Sequence, residues 1–241
     1  MYKIFSISEA ISFGFKNAIQ KNYGIYIVAF LLFVALLIIQ NLFSRFVYPL
    51  IWSDLEIHSK YAISFLDGLM NWILFMYFNV ALTLGIYKVS LRVCDLEFVS
   101  VSQLFEYFKE GNLVLRVVLG HILLGAMIII GFVLLIVPGI IIALMYSQFT
   151  FCMLENNSGV MEGMKMSKNL TSIKGVKSQL FVFFLALTGI GILGAIPCGI
   201  GLFFVFPLMW LSMAFVYRTL APLKKPEGEY DTKEIVVSPG I

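Results

Sequence analysis

Residues 113–153 read LVLRVVLGHILLGAMIIIGFVLLIVPGIIIALMYSQFTFCM, and Arg116 is the single formally charged side chain in the run. As one continuous helix the stretch would be about 60 Å long at the helical rise, twice the ~30 Å hydrocarbon core of a bilayer. The sequence therefore predicts two membrane spans joined at Val137-Pro138-Gly139, where Pro stops one helix and Gly permits the reversal. Both Pro138 and Gly139 are hairpin residues in this reading. Pro197 and Gly199, in Ile196-Pro197-Cys198-Gly199, form a second hairpin of the same kind.

The composition agrees with the hairpins. Hydrophobic residues make up 60% of the 241 and charged residues 13%, with a mean hydropathy of +0.94. Soluble domains carry about 25% charged residues, so this chain has too little charge to cover a water-facing surface. A disordered chain and a disulfide scaffold are excluded by the same composition. A net charge of +3 is also weak for a nucleic-acid binder. The first 20 residues carry Lys3, Glu9 and Lys16 with no continuous apolar core, so a cleavable signal peptide is not expected.

Six stretches approach the length a span needs: 24–43, 68–87, 113–137, 139–153, 179–196 and 200–216. Residues 44–67 are the only sizeable loop on the side away from the termini. Fifteen Lys and Arg residues lie on the side of the N- and C-termini, and only Arg45 and Lys60 lie on the other. By the positive-inside rule both termini are cytoplasmic, which places the chain in a cell (inner) membrane as a multi-pass protein. Residues 1–221 form the integral membrane domain. Beyond Pro222 the hydropathy collapses, and 222–241 read as a flexible cytoplasmic tail.

Three segments resemble one another: Ser6 to Phe13, Ser100 to Tyr107 and Gly159 to Met166. Each starts with a residue able to cap a helix and has Glu or Gln three places on, a capping box in the first two. Ile7, Ala10, Ile11, Gly14 and Phe15 then fall on one helical face, and Val101, Leu104, Phe105 and Phe108 repeat the pattern. In the third copy Ser167 and Lys168 interrupt the stripe. The expected architecture is all-α: a six-span bundle of three units, each an amphipathic interfacial helix followed by a transmembrane hairpin.

The stretch from Val137-Pro138-Gly139-Ile140-Ile141 through Leu144 to Phe149, with Glu155-Asn156-Asn157 and Ser167-Lys168 after it, resembles a bacterial family of integral membrane proteins of unknown function. That family is related to the membrane domain attached to some glycerophosphodiester phosphodiesterases. The resemblance is clearest over residues 130–220. It implies a six-span helical bundle and no transferable catalytic residues, and no stretch here matches the phosphodiesterase barrel.

No motif supplies a nucleophile–base pair or metal site, so the chain reads as a non-enzyme with no cofactor. His58 and His121 lie in separate segments without companion ligands, and Cys94, Cys152 and Cys198 read as packing residues. The deepest polar residues are Asn79, Thr83, His121, Gln148 and Thr150. Asn79, His121 and Gln148 either converge on a polar cavity or cross-link helices by hydrogen bonds, and the second reading is favoured in the absence of a buried acid or cation pair. Arg116 is expected to snorkel to headgroups. Gly139/Ala143 and Gly191/Ala195 are expected at close helix contacts. Function then divides between a scaffold, assembly or envelope-stress protein and a carrier or lipid-handling protein with a cavity between hairpins. Membrane lipids are the expected partners, with another membrane protein as a further candidate.

Overall fold

The computed structural model describes residues 5–17, 22–52, 60–196 and 201–221. Pro197, Gly199, Cys198, His58 and the 222–241 tail lie outside the described residues. The described chain is helical without strands, and six of its helical stretches are long and apolar enough to cross a membrane. In chain order these elements are α1 (Ile7–Phe15), α2 (Tyr23–Trp52), α3 (Lys60–Cys94), a 3₁₀ helix (Val101–Phe108), α4 (Gly111–Leu134), α5 (Ile136–Met145), α6 (Phe149–Asn156), α7 (Val160–Thr171), α8 (Val176–Ala195) and α9 (Leu202–Leu220).

A short amphipathic helix thus precedes each pair of spans, as the capping signals predict. Ser6 caps α1 by accepting from the Glu9 N–H, and Ser100 with Gln103 forms the capping box of the 3₁₀ helix. Two spans run longer than expected. At the helical rise α2 is about 45 Å long and α3 about 52 Å. The expected loop at 44–67 is therefore largely the helical continuation of both, with only 53–59 between them. Polar residues such as Asn41, Ser44 and Arg45 are compatible with a helix that has left the apolar layer, so hydropathy alone does not mark the helix end.

The first tight hairpin turns at Leu135, two residues before the expected Val137-Pro138-Gly139 link. Leu135 takes the extended conformation (φ −164°, ψ 148°), and α5 begins at Ile136. Pro138 then lies in the first helical turn, where its missing N–H would have had no partner in any case. Gly139 does pack closely: a Cβ there would lie 2.8 Å from the Phe132 ring, and one at Gly131 would lie 2.9 Å from Gly139 Cα. In the third pair, Gly191 faces open space. The close approach is made instead by Gly194, where a Cβ would meet Val205 Cγ2 at 2.6 Å.

The short helices pack in a cycle. α1 of the first unit seats on α9 of the third: Phe13 meets Phe215 with ring centroids 4.8 Å apart, and a Cβ on Gly14 would strike Ser212 Oγ and the Leu208 carbonyl. The 3₁₀ helix of the second unit seats on α3 of the first, where a Cβ on Gly85 would overlap the Leu104 carbonyl. α7 of the third unit seats on α6 of the second, where a Cβ on Gly163 would overlap Met153. Each short helix thereby buries part of its apolar face against the second helix of a neighbouring unit's pair, through Ala10 and Gly14, Leu104, and Gly163 and Met164, while Phe15, Val101 and Phe105 stay exposed. The three units close on one another.

Candidate functional site

Where α3, α6 and α9 meet, the centre is filled by aromatic rings. Tyr87 of α3 stacks on Phe151 of α6 (centroids 4.3 Å apart, 14° between planes), and Phe151 stacks on Tyr217 of α9 (5.2 Å, 18°). Phe149, Phe151, Leu84, Val114 and Ala214 are buried around them. Offset stacks of this kind add to the burial term because the ring quadrupoles align favourably.

An ionic cluster sits beside this stack. Arg218 of α9 donates through Nη2 to Asp95 Oδ2 at 2.6 Å and through Nη1 to Glu155 Oε1, while the Tyr217 hydroxyl donates to Glu155 Oε2 at 2.5 Å. Asp95 follows the last residue of α3 and Glu155 is the penultimate residue of α6. One guanidinium therefore ties together the ends of all three inner helices. Its planar fork suits two carboxylates at once, which a lysine ammonium would not. The backbone at Asp95 is fixed by the end of α3. The Leu96 N–H reaches Val93 O and the Glu97 N–H reaches Arg92 O, a Schellman closure that puts Leu96 at φ 59°. Leu96 occupies a left-handed position that glycine would take without strain.

The fourth span is broken, not continuous. Phe149 N–H pairs with Tyr146 O rather than Met145 O, and this tightening separates α5 from α6. The freed Met145 carbonyl accepts from Ser167 Oγ and Thr171 Oγ1 of α7, each at 3.0 Å. A backbone carbonyl stranded in an apolar interior costs several kcal/mol, so the break depends on these hydroxyls. Ser167 is fully buried. The residue that interrupts the apolar stripe of α7 is the one that satisfies the break.

The expected polar residues are placed as follows. Asn79 Nδ2 donates to Phe75 O at 2.8 Å and Thr83 Oγ1 to Asn79 O at 2.7 Å, both within α3. His121 Nδ1 lies 2.9 Å from Val117 O within α4, and its ring meets Phe149 edge-on at 5.0 Å. Since the carbonyl only accepts, Nδ1 carries the proton. These hydrogen bonds do not bridge helices as expected, because each side chain finds an i−4 carbonyl first. Gln148 is fully buried beside the break, with Nε2 3.5 Å from Ser147 Oγ and Oε1 without a protein partner. Arg116 does not point freely outward: Nη1 and Nη2 donate to Asn157 O (3.0 Å) and Asn157 Oδ1 (2.5 Å), clamping the left-handed turn (φ 46°) between α6 and α7.

In the sequence alone Arg218 is one of fifteen cations on the terminal side, and Glu155 belongs to the Glu155-Asn156-Asn157 stretch with no partner in view. The available signal was that each hairpin closes on an ionisable residue, Asp95, Glu155 and Arg218, whose charges include one cation and two anions. No protein-family model, curated protein or solved structure matches the chain.

Proposed function

We propose that this chain is a non-catalytic multi-pass protein of the bacterial cytoplasmic membrane, with both termini in the cytoplasm, acting as a scaffold or assembly partner. The observation that carries this reading is the filled centre: Tyr87, Phe151 and Tyr217 occupy the space where a transport path between the inner helices would run, and the Arg218 cluster fixes the helix ends around it. A carrier needs its halves to rock about a central site. Here the short helices join each unit to another through close glycine contacts, which favours a fixed arrangement. The distribution of Lys and Arg supports the orientation, and the similar opening segments support an origin by threefold repetition. The family resemblance over residues 130–220 is consistent with a membrane domain that serves other domains or partners.

The test is reconstitution. Vesicles containing the purified chain should show lipid scrambling and solute leakage no faster than protein-free vesicles. Native gels of gently solubilised membranes should show the chain in a discrete larger assembly. Accelerated scrambling or flux would favour the carrier reading and overturn this one.

A further inference from the structure

An open groove of about 400 Å³ runs between the second hairpin and α8, walled by Phe132, Ile140, Ala143, Phe181, Leu185 and Thr188, with Phe184 and Leu144 at its floor. Its one polar wall residue is spent within its own helix, since Thr188 Oγ1 donates to Phe184 O at 2.8 Å. Lys177 lies four residues before Phe181 and eight before Leu185, and so stands on the same helical face one turn before the groove wall. The stretch of α8 that lines the groove, from Phe181 to Thr188, rises about 10 Å, and Lys177 lies one helical turn before it. Lys174 precedes Lys177 in the turn before α8, and neither forms an ion pair among the described residues.

We propose that this groove is a binding site for one anionic glycerophospholipid, with an acyl chain against Phe181, Leu185 and Ala143 and the phosphate at Lys177 and Lys174. An apolar trough with unpaired cations one to two helical turns beyond it matches an anionic lipid in its chemistry. A peptide would bring backbone polar groups that nothing in the trough satisfies. The site is separate from the scaffold reading and does not depend on it.

Native mass spectrometry of the purified full chain, equilibrated with equal amounts of phosphatidylglycerol and phosphatidylcholine of matched chain length, tests the assignment. The wild type should retain phosphatidylglycerol preferentially. Removing each lysine charge should weaken that retention about fivefold, so K174Q/K177Q loses the preference while still running as a single species on size exclusion. Ala143→Leu, which fills the trough, should reduce retention of both lipids, and Gly189→Ala, whose Cβ meets open space, should leave both unchanged. Equal retention of the two lipids by the wild type, no retained lipid, or undiminished phosphatidylglycerol on K174Q/K177Q would each overturn the proposal.

Discussion

Arg218→Gln is expected to loosen all three inner helices at once. The side chains of Arg218, Asp95 and Glu155 are 29%, 36% and 34% exposed, so the cluster is neither a surface pair nor a dry one. Exposed pairs contribute about 0.2–1 kcal/mol, and breaking a fully buried pair costs about 3–5 kcal/mol. With two carboxylates left facing each other and water reaching a third of each, a loss of about 2 kcal/mol is expected. Glu155→Gln leaves Arg218 paired with Asp95 and should cost about 1 kcal/mol. In the double variant Glu155→Gln/Arg218→Gln the loss should fall short of the sum by about 1 kcal/mol, since neighbours in one network are not additive. Reversible unfolding in mixed denaturing detergent, followed by circular dichroism, reads these differences. Raising the salt to molar concentrations should shrink them, because the cluster is partly exposed. Arg218→Gln at wild-type stability, or strict additivity in the cycle, would show that the cluster does not tie the helices.

The packing makes three further expectations. Gly85→Ala forces a Cβ onto the Leu104 backbone and should cost about 3 kcal/mol or displace the 3₁₀ helix, whereas Gly189→Ala, in open space, should be neutral to slightly stabilising in the same detergent titration. Ser167→Ala/Thr171→Val strands the Met145 carbonyl and should cost about 2 kcal/mol, with faster amide exchange near Ser147–Phe149; an unchanged unfolding midpoint would remove α7 from the account of the break. Leu96→Gly relieves the left-handed strain at φ 59° and should raise stability by about 1 kcal/mol; a destabilised variant would place the strain elsewhere.

Much of the helical plan is legible in residue order because hydropathy and caps are local properties. The six apolar stretches and the helix starts at Ser6, Ser100 and Gly159 follow from composition, spacing and side chains that act within one turn. What fails is whatever depends on a partner distant in the chain. Ser167 reads as an interruption until the Met145 carbonyl is placed against it, across 22 positions. Arg218 reads as one of many cations until Asp95, 123 positions away, and Glu155, 63 positions away, meet it. The Pro138 turn fails for a different reason. Proline fits both a helix stop and a first turn, and its ring alone does not say which side of the reversal it occupies. Asn79 and His121 read as bridges in the sequence, but an i−4 carbonyl is always within reach of a helical side chain, whereas a neighbouring helix need not be.

The central claim is that the three units close on one another, with α1 seated against α9. A chain carrying Phe13→Cys and Phe215→Cys, with Cys94, Cys152 and Cys198 replaced by serine, places its only thiols on the two sides of the present ring contact. Treatment in native membranes with a short bis-methanethiosulfonate reagent, which links nearby thiols through reducible disulfides, followed by cleavage of the backbone between the two positions, is the direct measurement. Closure predicts rapid cross-linking that keeps the N- and C-terminal fragments joined until a reductant is added. Fragments that separate without reductant, from a protein still inserted and helical, would contradict it.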